Sequence, residues 1–227
     1  MAPQTKAGSS RSTRSRGVMR SRLIAPLIAL LALGGCAGVR YPNYYTLNIP
    51  NPVSASRGSA PISKTVVVQE FRAPAYLRQG SIVYRPEPEQ IAFYDYHHWA
   101  EDPRRTVTAA IVRDLQQTFK SAELSDGRGV ADFLLTGSLD RLEELDNGPS
   151  VSVDIGISAA LKNLKTGDVI WSGISSKTSA VEQRSVPGVV AAMSRELTEA
   201  AEQLVASLRN ELSRGALPAG DAHREEN

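Results

Sequence analysis

Four side chains that could bind a metal ion lie close together in the sequence: Asp95, His97, His98 and Glu101. Imidazoles and carboxylates are ligands that zinc accepts in proteins. The aromatic residues around them predict an extended segment, in which neighbouring side chains point to opposite faces. His97 and His98 then cannot bind the same ion, and Asp95 with His97 provides too few ligands. We therefore expect a polar surface beside Trp99 and no metal.

The single cysteine, Cys36, directly follows Leu33-Gly34-Gly35. This resembles the bacterial lipobox, in which an aliphatic residue and two small residues precede a cysteine that receives diacylglycerol. The resemblance implies cleavage before Cys36, diacylglycerol on its thiol and an acyl chain on its new amino group. Two or more acyl chains anchor a protein stably to a membrane. Because Ala37 rather than an aspartate follows, similarity to Gram-negative lipoproteins implies the outer membrane.

The residues before Cys36 have the pattern of a secretory signal peptide. Six basic residues and no acidic residue precede it, and the apolar run 23–33 is shorter than the roughly 20 residues that span a membrane. We therefore predict a lipoprotein signal peptide at residues 1–35. Met1 and Met19 both stay open as the start of translation.

Charge and length describe the remainder of the chain. The whole sequence has 26 basic and 24 acidic residues, and six of the basic ones precede Cys36, which leaves 20 against 24, or −4. This mildly acidic balance gives no support for a nucleic-acid partner. The length suits one domain with a real core. We predict a lipidated N-terminus, first strand and linker at 36–63, a domain at 64–213 that the strand at 43–49 joins, and a flexible tail at 214–227.

Composition and periodicity predict the elements of this domain. Residues rich in β-branched and aromatic side chains predict strands at 43–49, 65–71, 81–85, 90–99 and 133–142. Asp102-Pro103 predicts a helix start, because Asp is a good N-cap and Pro suits the first helical position. Val107, Ile111, Leu115 and Phe119 then form one apolar stripe, which predicts that the helix ends near Ser121.

The clearest pattern is the alternation of apolar and polar residues at 151–161, which predicts a half-buried strand. Asn147-Gly148 predicts a hairpin before it, and Thr166-Gly167-Asp168 a turn into a strand at 169–176. Pro187 begins a last helix with one apolar stripe. Together these elements predict an α+β fold, a two-layer sandwich of a mainly antiparallel sheet with two helices packed on one face.

An ordered set of residues resembles a known family. The set comprises Tyr44-Tyr45-Thr46-Leu47, residues 66–71 with Pro74-Ala75-Tyr76-Leu77 and Ile82-Val83-Tyr84-Arg85, and Tyr96-x-x-Trp99-Ala100-Glu101 before a helix. Together they resemble the ABC-type transport auxiliary lipoprotein family, which includes the paraquat-inducible protein C group. The resemblance covers about residues 44–212. Asp102-Pro103 replaces the usual Pro-Leu, a small departure because a proline remains near the helix start.

The resemblance implies an outer-membrane lipoprotein that faces the periplasm. It would be an auxiliary subunit that works with an inner-membrane or periplasm-spanning protein carrying mammalian-cell-entry domains, and with an ABC permease and ATPase, in moving lipid between the membranes. One small domain can hardly enclose a tunnel for lipid, so we also expect a homo-oligomer. The alternative is an envelope-assembly or regulatory lipoprotein that binds a periplasmic enzyme or an outer-membrane component.

Catalysis has little support in the sequence. No nucleophile elbow, zinc-protease helix or phosphate-binding loop motif occurs. We therefore predict that the protein is not an enzyme and has no cofactor besides the acyl chains on Cys36. The aromatic residues between Tyr76 and Trp99 suit either cross-strand pairs in the core or a contact surface. Our predicted partner- or lipid-binding residues are Tyr76, Tyr84, Arg85, Tyr96 and Trp99.

Overall fold

The computed structural model describes residues 40–50, 62–127 and 130–216. The signal peptide, Cys36, residues 51–61 of the linker and the tail beyond residue 216 lie outside this part, so the predictions for them stay predictions. The described strands are β1 (Asn43–Tyr45), β2 (Ile62–Val68), β3 (Ser81–Glu87), β4 (Gln90–Trp99), β5 (Phe119–Leu124), β6 (Phe133–Asp146), β7 (Val151–Asn163) and β8 (Val169–Ala180). The α-helices are α1 (Pro103–Leu115) and α2 (Val186–Glu211), with a 3-10 turn at Ala75–Arg78 and a π turn at Leu212–Ala216.

The strands form one mixed sheet that divides at β6. On one side, β6, β7 and β8 form a long antiparallel meander. The other side of β6 is shared by two branches. Residues 133–135 pair in parallel with β2, which carries β5, whereas residues 144–145 pair in parallel with β3. β4 is antiparallel to β3, and β1 is parallel to β4, so β1 forms the outer edge of the second branch.

Phe71 and Arg72 bridge the gap between the two branches. The Phe71 side chain is fully buried, and its backbone N–H donates to Thr108 Oγ1 of α1 at 3.0 Å. The Arg72 N–H donates to the Gly137 carbonyl at 2.9 Å, and its carbonyl accepts from the Leu139 N–H at 2.8 Å. The backbone groups that the branching strands leave free on β6 are therefore paired at this point.

Both helices begin with a capping side chain and a proline in the first turn. The Asp102 carboxylate accepts from the Arg104 N–H at 3.0 Å, and Ser185 Oγ accepts from the Gly188 N–H at 3.3 Å. Such caps typically stabilise a helix by about 1 kcal/mol. None of the helices in the described part is long and apolar enough to cross a bilayer.

The two helices pack together on one face of the meander. Their apolar stripes and the sheet meet at a junction lined by Ile111, Leu115, Leu135, Ala159, Trp171, Leu204, Val205 and Leu208. Every second residue of β7 from Val151 to Leu161 is buried under this layer. Fully burying an apolar side chain of this kind contributes about 1.5–3 kcal/mol, so this layer is a main source of stability.

The structure confirms the α+β class. The predicted hairpin is present too: the Asn147 N–H donates to the Ser150 carbonyl at 3.0 Å, and Gly148 has a φ of 74°. The antiparallel pairings include the longest ones, but four short pairings among the described strands are parallel. The sequence did not predict these parallel pairings.

The predicted helix end near Ser121 is wrong. α1 ends at Leu115, and Phe119 begins β5. The Thr118 carbonyl accepts from the Ile62 N–H at 2.9 Å, which joins this segment to β2, and Phe119 is buried from a strand instead of a helix. The strand predicted at 81–85 extends to Glu87, because Pro86 lies where the register with β4 shifts. The first strand ends at Tyr45 instead of residue 49.

Candidate functional site

Aromatic side chains cross the second branch of the sheet from β3 over β4 to β1. The Tyr84 and Tyr94 ring centroids are 4.9 Å apart, and Tyr94 meets His97 edge-on at 5.5 Å. The Tyr45 hydroxyl lies 2.9 Å from His97 Nδ1. We call Tyr84, Tyr94, His97 and Tyr45 the aromatic ladder. All four residues are half-buried, so the ladder both joins three strands and leaves aromatic surface open to solvent.

A buried carboxylate lies under the aromatic ladder. Glu144 of β6 accepts a hydrogen bond from the Tyr94 hydroxyl at 2.8 Å. Burial raises the pKa of Glu144 above its usual value, although the Tyr94 hydrogen bond opposes this shift. Burial likewise raises the pKa of the Tyr94 hydroxyl, which therefore stays a proton donor. The pair holds the Tyr94 ring against β6.

The opposite face of these strands carries a second buried carboxylate. The Glu143 side chain is 1% exposed, and it accepts from Arg85 Nε at 2.8 Å and from the Tyr76 hydroxyl. Arg85 Nη1 also donates to the Pro88 carbonyl at 2.7 Å. The hydrogen bond to Glu143 raises the pKa of Arg85, and burial raises the pKa of Tyr76. Because a buried charge needs such partners, Tyr76 and Arg85 have a structural use here.

An open cleft of about 970 Å³ lies beside Arg85, between the ends of the β3–β4 and β6–β7 hairpins. Its charges are largely paired: Arg141 Nε donates to Asp154 Oδ2 at 2.7 Å, and Arg184 Nη2 to Asp146 Oδ1 at 3.2 Å. A surface of paired charges suits docking of a polar partner better than binding of a single charged ligand.

The predicted site residues are only partly brought together. Tyr76 and Arg85 share Glu143, whereas Tyr84 points to the other face and belongs to the aromatic ladder. Tyr96 is 42% exposed near the edge of the sheet. Trp99 is only 7% exposed and packs in the hydrophobic core, so its side chain offers little surface to a partner.

The two histidines bond to different strands. His97 Nδ1 pairs with Tyr45 of β1, whereas His98 Nδ1 lies 3.1 Å from Ser81 Oγ of β3. Within the described ranges, no group of three or more His, Cys, Asp or Glu side chains is arranged to hold a metal ion.

The sequence pattern did not identify Glu143 and Glu144 as site residues, because it predicted that the strand ends at Leu142. A signal was present, because two acidic residues stand between Leu142 and Leu145. In a half-buried strand one of two adjacent carboxylates must face the packed side, and there it needs a hydrogen-bond donor. The donors Tyr94 and Tyr76 come from segments far away in sequence, so the pattern alone could not identify them.

Comparison with known proteins identifies the family. The sequence model of one protein family, the ABC-type transport auxiliary lipoprotein component, matches residues 45–205, which is most of the chain. The chain therefore belongs to the ABC-type transport auxiliary lipoprotein family. No curated protein sequence matches at a significant level.

Solved structures share the fold at low sequence identity. A Xanthomonas campestris protein of the same family is 18% identical with a TM-score of 0.67, over 76% of this chain and 97% of its own. An uncharacterised protein is 13% identical with a TM-score of 0.58, over 74% of this chain and 99% of its own. At these identities the likeness establishes the fold alone.

Proposed function

We propose that acyl chains on Cys36 hold this protein at the periplasmic face of the outer membrane, where it is a non-catalytic auxiliary subunit of a lipid transport system. Its partners would be a mammalian-cell-entry domain protein and an ABC permease with its ATPase, which supply the path and the energy between the inner and outer membranes.

The observation that carries the proposal is the position of the family match relative to the lipobox. The match begins at residue 45, nine residues after Cys36, so almost no chain separates the anchor from the folded domain. A segment of nine residues spans at most about 32 Å when fully extended. The domain would therefore work close to the membrane surface.

The site geometry supports a binding role. The buried carboxylates Glu143 and Glu144 are both occupied by hydrogen bonds from tyrosine or arginine. The exposed parts of the aromatic ladder lie on one face of this branch, whereas Tyr76 and Arg85 lie on the other. Both faces, and the exposed Tyr96, present amphipathic side chains, which are favoured at interfaces. We propose this branch of the sheet as the partner- or lipid-binding surface and, because one domain cannot enclose a path for lipid, a homo-oligomer as the working form.

Purification from membranes tests the proposal. Tagged full-length protein is extracted in mild detergent from cells, and the proteins and lipids that come with it are identified by mass spectrometry. The matched control is Cys36→Ala, which should leave the membrane fraction because the acyl chains are lost. We expect the permease, the ATPase and a mammalian-cell-entry protein with the wild type, and bound phospholipid.

Two results would contradict the proposal. A wild-type chain with an unmodified Cys36 thiol in the periplasmic fraction would remove the anchor. Recovery of a periplasmic enzyme or an outer-membrane assembly component, with no transporter subunit, would favour the envelope-assembly alternative.

A further inference from the structure

Two tyrosines are exposed near the outer edge of the second branch. Tyr44 of β1 is 65% exposed and Tyr96 of β4 is 42% exposed. Tyr44 is paired in register with His98, two residues after Tyr96, so the two exposed tyrosines lie close together on neighbouring strands. Tyr45 points to the other face, where it lines a groove with α2. Tyr44 thus lies on the face that the helices leave uncovered, and Tyr96 is exposed on the next strand.

This exposed face belongs to an ordered part of the sheet. The Tyr44 ring contacts the His98 ring at a centroid distance of 5.8 Å, and His98 Nδ1 lies 3.1 Å from Ser81 Oγ of β3. The Ala100 N–H donates to the Tyr45 carbonyl at 2.8 Å, which closes the end of the β1–β4 pairing. The backbone at Tyr44 is therefore part of the hydrogen-bonded sheet, which holds the position of its side chain.

Tyr44 lies close to Cys36 in sequence. It follows Cys36 by eight residues, so full extension allows Tyr44 at most about 28 Å from the anchored residue. The uncovered edge of β8 differs. It carries Ile174, which is 79% exposed, and lies five strand spacings from β1, about 24 Å across the sheet.

We propose that Tyr44 and Tyr96 form a bilayer contact, with their rings at the level of the lipid headgroups. Tyrosine suits this position because its ring is apolar while its hydroxyl still hydrogen-bonds to water and headgroups, which is why it is enriched at membrane interfaces. The occupant is a phospholipid surface. The contact fixes which edge of the sheet faces the membrane, and it leaves the helical layer and β8 directed away from it. This inference rests on the acyl anchor of the proposed function.

Site-directed spin labelling of the processed, full-length protein tests the contact. The chain has one cysteine, and acylation would block its thiol, so a newly introduced cysteine is the only one to react. Tyr44→Cys and Tyr96→Cys probe the contact, and Ile174→Cys is the matched exposed control on β8. Each labelled variant is placed in vesicles of phosphatidylethanolamine and phosphatidylglycerol. Collision of the label with oxygen, which concentrates in the bilayer, is compared with collision with a water-soluble nickel chelate.

As a control, the wild-type protein, whose one cysteine is Cys36, is first treated with the spin label. If it takes up no label, and the ratio of oxygen to nickel collisions is several-fold higher at positions 44 and 96 than at 174, the contact is supported. If the wild type takes up no label and all three positions show the same ratio, the contact is overturned while the anchor stands. If the wild type is labelled at Cys36, the anchor and the contact both fail. Circular dichroism melting confirms that each variant is folded.

Discussion

The ring of Phe71 lies directly on the backbone of Gly137, at the point where the sheet divides. A Cβ atom added to Gly137 would be 2.3 Å from the Phe71 ring, closer than any real contact. Glycine at this position therefore allows the fully buried Phe71 to close the gap between the two branches of the sheet.

Gly137→Ala should destabilise the protein, because a fully buried ring has no room to move away. Overpacking of this kind costs about 1–3 kcal/mol of the free energy of unfolding. Urea unfolding followed by circular dichroism measures the loss. Gly156→Ala is the control: its added Cβ would come within 3.0 Å of the Arg141 guanidinium, which belongs to a part-exposed, flexible side chain. Equal stability of the two variants would contradict the role given to Gly137.

Asp114 should make the protein less stable as the pH rises. Burial raises the pKa of Asp114 to about 6, with Glu202 adding to the shift while Arg113 and Arg209 oppose it. In the unfolded chain this pKa is about 3.9, so folding favours the protonated form. The stabilisation is present below about pH 4 and is lost as the pH rises through about 6, by roughly 1–3 kcal/mol.

Asp114→Asn tests this sign. The variant should be more stable than the wild type at neutral pH, and the loss of unfolding free energy between pH 4 and 6 should shrink. Asp102 provides a contrast, because its bonds to Arg104 outweigh its burial and lower its pKa. Its contribution to stability is therefore present at neutral pH and lost in acid. An Asp114→Asn variant with the wild-type pH profile would show that another group titrates in this range.

Tyr76 and Glu143 should be energetically coupled. Tyr76→Phe leaves the buried carboxylate with one donor fewer, which should cost about 1–3 kcal/mol. Once Glu143 has been changed to Gln, the same substitution should cost less, because the charge that needed the donor is gone. A double-mutant cycle by urea unfolding should give a coupling energy of about 0.5–3 kcal/mol. Strict additivity would mean that the hydrogen bond does not matter to stability.

Tyr84→Ala should impair transport without unfolding the protein. Tyr84 is half-buried and shares its ring contact with Tyr94, so the fold should tolerate the loss while the surface changes. The measurement is the outer-membrane barrier of a deletion strain that carries the variant, with protein abundance checked by immunoblot. Ile174→Ala at the far edge of the sheet is the control. A wild-type barrier at normal abundance would remove Tyr84 from the binding surface.

Trp99→Ala cannot serve the same purpose. Because Trp99 is buried, removing its side chain should cost about 3–5 kcal/mol and lower the abundance of the protein. A defect in that variant would report folding instead of partner binding.

Which aromatic residues of the site are exposed and which are buried could not be predicted from the sequence. Tyr84 and Trp99 have the same kind of signal, an aromatic residue in a strand next to polar neighbours. Only the packing of the second branch decides that Tyr84 keeps an open ring whereas Trp99 enters the core. The partners of Glu143 and Glu144 come from other elements, and no local pattern specifies them.

From the amino-acid sequence alone, the features that depend on near neighbours could be predicted. These are the hairpin at Asn147-Gly148, the buried face of β7 and the start of each helix, since turn chemistry, side-chain alternation and capping act over a few residues. The predicted role of Cys36 also rests on a short linear motif. The division of the sheet at Gly137, the strand that begins at Phe119 and the four parallel pairings of the described strands could not be predicted in this way. They depend on which distant segments meet, because parallel strands are not joined by a short hairpin turn that would reveal the pairing in the sequence.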